Sequence, residues 1–553
     1  MENRIKAAIQ HLPWAVFAIV AVLNLALGKF NLCYMEQWQT FIYDANIAGE
    51  RIAEMNGANY LLSLLIIQFF TDPYLAILIN AAVLSCIYLL QRDFLMRISQ
   101  HSVLISNTLP LITVGMVLAM QYNTNLFYTY TTGILMASLL LWISSLINNE
   151  WGRLAFMAAS TPLLILAAGP VATAYMAIAT LSGIRAGNRI YYLGLPLVFL
   201  ISCAAFIHAG YAMNLVQILS LRQYADIRIT PSLMSYECLI AMVVSAFLAM
   251  MARKWRLDGN AWLCVGIVAV SVGIGFVQRN RNNEIFKELN YLSRHQQYGR
   301  IIELCAQNNS NVLFHNYRNM ALGEMGLLGD SLFSYPNMGL ASIIMQSDKS
   351  YFMKAMYCDA QYAMGNIAAA QQYAFESLQM TRNTSPKMLM RLAETNIAFG
   401  ELDAARKYLH ILSKTLAYSH QANEMISMID SGQIYQYGNL AEKRSCMPAH
   451  DSAMGFPDMD KILELSLEAN PANSKTMQYL GSLYLLEKNM ERFRQVVQKF
   501  YGTPCLPKLP RYFEEAMYLI HSGNADSLAK YHIDSQMEPA GNYKKYYLTR
   551  LAQ

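Results

Sequence analysis

Two stretches of the chain carry side chains suited to chemistry. The first, NLCYMEQWQTFIYDANIAGERIAEMNG (31–57), follows an apolar run and holds Glu36, Asp44, Glu50, Arg51 and Glu54. The second spans 210–232 and holds Arg222, Tyr224, Asp226 and Arg228. An acid just outside an apolar span is costly unless it is hydrated, paired or functional. A carboxylate can take the proton of an acceptor hydroxyl, and the planar fork of arginine binds phosphate oxygens. Acids on one loop and arginines on another suit transfer from a lipid-phosphate donor. In that reading Glu36 is the general base and Asp44 a second acid or a metal ligand. Arg222, Arg228 and Arg51 then contact the donor phosphate. The competing reading is ordinary solvated loop charge.

Other chemistry is poorly served. There is no Walker loop, HExxH, GxSxG or dinucleotide fingerprint. The nine cysteines contain no CxxC pair. In an oxidising compartment Cys446 with Cys505, or Cys305 with Cys358, could pair; buried free thiols are the alternative. His208, near the end of an apolar run, reads as an interfacial or satisfied histidine. Tyr122, Phe127, Tyr128 and Tyr130 fit an interfacial aromatic belt, or the lining of a sugar or lipid groove.

The elements that must position these loops follow from composition. The 553 residues are 55% hydrophobic and only 14% charged, against about 25% charged in soluble domains. Between 101 and 250 only Glu150, Arg153, Arg185, Arg189, Arg222, Asp226, Arg228 and Glu237 are charged. This excludes a fully soluble or a disordered chain. A net charge of +5 is too small to argue for nucleic acid.

Apolar runs at 13–29, 74–91, 103–120, 126–147, 154–168, 170–184, 189–209, 233–252 and 261–278 predict about nine spans in residues 1–280. Each spanning helix needs about 20 residues. Gly169-Pro170 makes 154–184 either two short spans or one kinked, partly re-entrant element. The run 59–70 is too short to cross and reads as a juxtamembrane helix. Loops on one side carry Arg4, Lys6, Arg92, Arg97, Arg153, Arg185, Arg189, Arg253, Lys254 and Arg256. The other side carries Lys29, Arg51, Arg222 and Arg228. The basic excess predicts a cytoplasmic N-terminus, with the following half outside.

From residue 283 charge returns and helical periodicity dominates. GNIAAAQQYAFESL (365–378) and GELDAARKYLHILS (400–413) share a turn glycine followed by paired alanines. His295, Gly329, Gly365 and Gly400 recur at near-constant spacing, as do Lys488 and Gly523, close to the period of TPR repeats, 34 residues. Leu480, Gly481 and Tyr484 fit part of the TPR pattern. The expected organisation is an all-α chain: a polytopic bundle over 1–280, TPR-like repeats over 283–429, a connection over 430–458, and a second TPR-like segment over 459–553. Such a solenoid presents a groove for a peptide, protein or glycan, or only packs on the membrane half.

The first span, the acid-bearing outside loop with Glu36 and Asp44, the juxtamembrane helix and the many later spans resemble the GT-C class of membrane glycosyltransferases. The resemblance covers about residues 1–280. It implies a polyprenyl-phosphate-linked sugar as donor, an acid of the first outside loop in catalysis, and possible use of a divalent metal. The adjacent acidic pair usual in that class is not present. EQWQTFIYD (36–44), MLMRLAETNIAFGELDAARKYLHIL (388–412), NPANSKTMQYLGSLYLLEKN (470–489) and LPRYFEEAMYLI (509–520) are similar to a Bacteroidetes family of membrane proteins with helical-repeat tails. That resemblance implies a bacterial inner membrane with the C-terminal domain in the periplasm. Two functions follow as expectations: a lipid-linked glycosyltransferase, or a non-catalytic membrane-anchored scaffold for an envelope assembly.

Overall fold

A computed structural model describes residues 4, 7–9, 11–99, 102–122, 126–185, 190–225, 230–252, 254–255, 260–277, 280–308, 311–344, 351–447, 459–522, 524–534 and 541–548. The described residues are helical throughout, with no strand beyond two isolated bridges. The chain divides into two compact units. The first comprises Met1–Glu284 with Lys414–Ala417, and the second Ile285–Ser413 with Tyr418–Gln553.

In the first unit, among the described residues, six helical segments are long and apolar enough to cross a membrane. The first of them starts at an ordinary cap. Asp72 accepts from the N–H groups of Tyr74 and Leu75, and Pro73 occupies the first turn, where its missing N–H costs nothing. The helix that follows runs Pro73–Ile98. Helices Leu12–Leu27 and Asn31–Trp38 meet at a bend of 82°, and would make a seventh crossing if they act as one span. The predicted run 261–278 appears as helix Ala261–Val277, whose described apolar part, Ala261–Ser271, is short of a full crossing. The run 59–70 is a short helix, Gly57–Ile67.

The 154–184 run folds back on itself at Gly169-Pro170. The hydroxyls of Ser160 and Tyr175 are 2.6 Å apart, whereas a continuous helix would separate them by roughly 22 Å at 1.5 Å per residue. The segment Glu150–Ile184 is therefore a helical hairpin, turned where Gly169 adopts φ +62°. Inside the bundle, one cluster of polar side chains satisfies itself, as an apolar surrounding favours. Asn80 and Gln121 exchange amide hydrogen bonds of 2.7 and 3.0 Å, and the Tyr128 hydroxyl donates to Asn80.

The second unit is a succession of antiparallel helical pairs, including Tyr351–Met364 with Ile367–Met380 and Pro386–Phe399 with Leu402–Ser413. Turns form where a left-handed residue closes a helix. Gly365, Gly400 and Lys488 do this, with φ of +90°, +86° and +61°. The turns predicted at His295 and Gly329 instead use Gln296 and Gly326 as the left-handed residues. Gly329 is buried inside a short helix against Pro510. Gly523 lies outside the described residues. Within the predicted connection 430–458, a 3-10 turn over Ile434–Gln436 and a helix Leu440–Ser445 are present, and 448–458 lie outside the described residues.

The described cysteines form no disulfide. The suggested Cys446–Cys505 and Cys305–Cys358 pairs are not formed. Cys446 accepts a hydrogen bond from Asn473, Cys358 donates to the carbonyl of Ala370, and Cys505 lies against the Thr503 hydroxyl.

Candidate functional site

The residues singled out in the first unit occupy different environments. Glu36 sits on helix Asn31–Trp38, all eight residues of which are buried. Burying a helix with this many polar groups is expensive, and the Nδ2 of Asn31, the Nε2 of Gln39 and the Oγ1 of Thr40 are buried without a hydrogen-bond partner. Asp44 caps helix Ala45–Ile52, accepting from the N–H groups of Asn46 and Ile47. It also pairs with Lys414 at 2.6 Å, within the same unit. The Lys414 hydrogen bond and these two amides hold its carboxyl below the usual carboxylate range. Arg51 pairs with Glu54 at 2.8 Å. Arg222 is exposed on a 3-10 turn, and Arg228 lies outside the described residues.

One segment joins the two loops. The Trp38 ring meets Phe127 edge-on at 5.4 Å, and the Phe127 N–H donates to the Tyr224 carbonyl at 2.8 Å. The small cavity there is lined by Tyr34, Met35, Trp38, Gln39 and Phe127 among others. It measures about 10 Å³, room for about one water. Neither Glu36 nor Arg222 lines it. A second cavity of about 80 Å³, between helices Leu12–Leu27, Pro110–Gln121 and Ala261–Val277, is lined almost wholly by aliphatic side chains. Among the described residues no three His, Cys, Asp or Glu side chains come together in a way that would hold a metal ion.

The largest of these cavities belongs to the second unit. It measures about 290 Å³. Helix Pro386–Phe399 presents Lys387, Met390, Arg391 and Glu394 to it, three and four residues apart and so on one face. That face exists because Ser385 caps the helix, accepting from the Met388 N–H, and Pro386 fills its first turn. Helix Tyr351–Met364 adds Asp359, Tyr362 and Ala363. Glu324 and Arg294 enter from two further helices.

The charges interlock. Asp359 accepts from Lys387 at 2.6 Å and from Arg391 at 3.2 Å, one contact on each oxygen. Arg391 also pairs with Glu394 at 2.9 Å and stands over the Tyr362 ring, 3.7 Å from its centroid. Glu324 receives Lys443 on one oxygen and Lys475 on the other. Burial works against the charge on Arg391, but Glu394 and Asp359 more than offset it and hold the guanidinium above its ordinary value. Burial pushes the Glu394 carboxyl up, against the pull of Arg391.

None of these cavity residues was singled out from the sequence. The signal was present in PKMLMRLAETNIAFG, where Lys387, Arg391 and Glu394 fall four and three residues apart on one helix face. It could be weighed only once Asp359 and Tyr362 were known to face it from a different helix.

Fold and site together define a helical protein with, among the described residues, six segments long and apolar enough to cross a membrane, and with a second unit of helical pairs around a charged cavity. Residues 4–550 match the sequence model of a family of unknown function, DUF6057, and the chain belongs to that family. No curated protein and no solved structure matches it.

Proposed function

We propose that this is a membrane-anchored recognition protein. Its first unit holds the chain in the bilayer, and its second unit is a TPR-like solenoid that binds a peptide, protein or glycan ligand. The observation that carries this reading is the 290 Å³ cavity with Arg391, Asp359, Glu394 and Tyr362 on its walls. Charged and aromatic groups held by mutual contacts form a preorganised surface for a polar ligand. Gln421, on the cavity wall, provides the test. Gln421→Trp in the full chain fills the cavity, and the ligand that copurifies with the native protein should be lost. Unchanged copurification in a folded Gln421→Trp protein sinks the reading.

One observation favours a second reading, the GT-C-type glycosyltransferase using a polyprenyl-phosphate-linked sugar. The helix of Glu36 and the turn bearing Arg222 both adjoin the Leu126–Phe127 segment. Glu36 would be the base, with Asp44 a second acid and Arg222, Arg228 and Arg51 near the donor phosphate. Glu36→Gln should then abolish changes in lipid-linked glycans that the native chain restores to a deletion strain. Full restoration by Glu36→Gln removes this reading.

For either reading we infer nine crossings, an inner-membrane location, a cytoplasmic N-terminus and a periplasmic second unit. The excess of Lys and Arg on one set of loops supports this orientation. Reporter fusions after residues 99 and 284 should report opposite sides.

A further inference from the structure

We infer that the cavity of the second unit takes a small, uncharged saccharide. This inference rests on the recognition reading above and names the class of ligand that reading leaves open.

Charge on the wall is matched. Arg294, Lys387 and Arg391 line the cavity beside Glu324, Asp359 and Glu394, three bases with three acids. Each acid is already held. Asp359 accepts from Lys387 and Arg391, Glu394 from Arg391, and Glu324 from Lys443 and Lys475. Arg294 stands over the Tyr418 ring and reaches its hydroxyl. A charged ligand group must therefore displace one of these partners, and a buried charge that loses its partner is costly. An uncharged ligand meets the wall with every pair intact.

Hydrogen-bonding capacity of both kinds remains on the same wall. Arginine carries five N–H donors and lysine three. Arg391 gives one to Asp359 and one to Glu394, and Lys387 gives one to Asp359 and one to Asn290. Donors are thus left on both. Acceptors are left as well. Arg391 engages one oxygen of Glu394, and Gln421 gives its amide N–H to the Tyr437 hydroxyl and keeps its carbonyl oxygen. The Tyr298 hydroxyl, also on the wall, serves as either. A ligand hydroxyl donates and accepts at a single oxygen, so a ring bearing several can use neighbouring donors and acceptors together. Arg391 and Glu394 form such a neighbouring pair, with Nη1 and Oε2 2.9 Å apart, close to the spacing of adjacent ring hydroxyls. A peptide backbone puts donor and acceptor on different atoms and needs an extended run to present them. The volume of about 290 Å³ lies at the low end for small-molecule sites, which suits a sugar ring or two better than a length of chain. Arg391 already covers one face of Tyr362, so recognition falls on the hydroxyl pattern more than on ring stacking.

The test uses the full chain in nanodiscs, free of sugar-headed detergent, with binding followed by thermophoresis. The probes are glucose, galactose, mannose and N-acetylglucosamine with their disaccharides, each beside an acidic, an amino and a phosphorylated counterpart. A pool of acetylated tripeptide amides supplies uncharged peptide. The expected result is that at least one neutral sugar binds roughly tenfold more tightly than its charged counterparts and than the peptides. Tyr298→Phe, which removes one hydroxyl, should weaken binding of that sugar. Glu394→Gln, which unbalances the wall, should narrow its margin over the acidic counterpart. Each variant is checked for folding by its melting curve. A charged counterpart that binds as tightly as the neutral sugar overturns the assignment, as does tighter binding of the peptides. Unchanged sugar binding in both variants puts the sugar elsewhere and overturns it too. If no probe binds, the saccharide assignment falls, and copurification with Gln421→Trp decides the recognition reading separately. Loss of the ligand leaves that reading standing; unchanged copurification removes both.

Discussion

The guanidinium of Arg391 stands 3.7 Å from the centre of the Tyr362 ring while bridging Asp359 and Glu394. Two helices thus meet through a cation held between two carboxylates and an aromatic face. The arrangement gives the cavity its wall and ties the stability of that wall to one side chain.

Removing that side chain should be costly. Arg391→Met leaves Asp359 with Lys387 alone and Glu394 without its base. Breaking a largely buried pair from one side costs about 3–5 kcal/mol. Arg391→Lys should lie between Met and the native residue, because an ammonium lacks the fork that reaches both acids. Urea unfolding of the full chain, followed by circular dichroism, measures this. Equal midpoints for Met and native would remove the pair from the account of stability.

Binding of an anionic ligand at this cavity should depend on pH through Glu394. Burial raises its pKa, so on acidification it takes up a proton before an ordinary glutamate does at about 4.3. Negative charge is then lost from the cavity wall, and affinity for an anion rises on acidification, a trend to be followed over a range from about pH 8 to about pH 4. Glu394→Gln mimics the protonated form and should bind tightly across that range with a flat profile. For stability the sign follows from the same shift. A raised folded-state pKa contributes fully below the unfolded value and is lost as pH rises through the folded one. Dissociation constants for native and Glu394→Gln across the range decide the matter; parallel profiles would exclude Glu394 as the titrating group.

Close packing in the second unit can be tested at Gly481. A Cβ there would overlap the Phe513 ring from another helix. Gly481→Ala should destabilise by about 1–3 kcal/mol through overpacking. All six tryptophans, at 14, 38, 142, 151, 255 and 262, lie in the first unit. The thermal loss should therefore appear in the second unit's helical signal and leave the tryptophan transition in place. A shift in both would mean that the two units unfold together.

The first unit has its counterpart at Gly115. Its Cβ position lies 2.5 Å from the backbone oxygen of Ser271. Helices in lipid approach this closely only across small residues. Gly115→Ala should push helix Ala261–Val277 away from helix Pro110–Gln121 and lower the temperature of the tryptophan transition. An unchanged transition would show that the contact has room to adjust.

The long apolar helices of the first half, the helical nature of the second and the turns at Gly365, Gly400 and Lys488 were legible in the residues alone. Hydrophobic length and helical period are local properties, written in consecutive residues. The turns at Gln296 and Gly326 were placed one and three positions away, at His295 and Gly329. A repeat of about 34 residues fixes where a turn falls only to within part of a helical turn, and packing of Gly329 against Pro510 settled the rest. That the chain breaks at Gly169-Pro170 was legible too, but its folding back there shows only in the Ser160–Tyr175 contact.

Residue types alone determined that this chain is helical and that its first half holds apolar segments long enough to cross a membrane, because burial of apolar surface follows from sequence spacing. Only the tertiary structure decided where its charges meet. Asp359, Tyr362, Arg391 and Glu324 are spread across three helices, and ion pairing acts through space over a few ångströms whatever the separation along the chain.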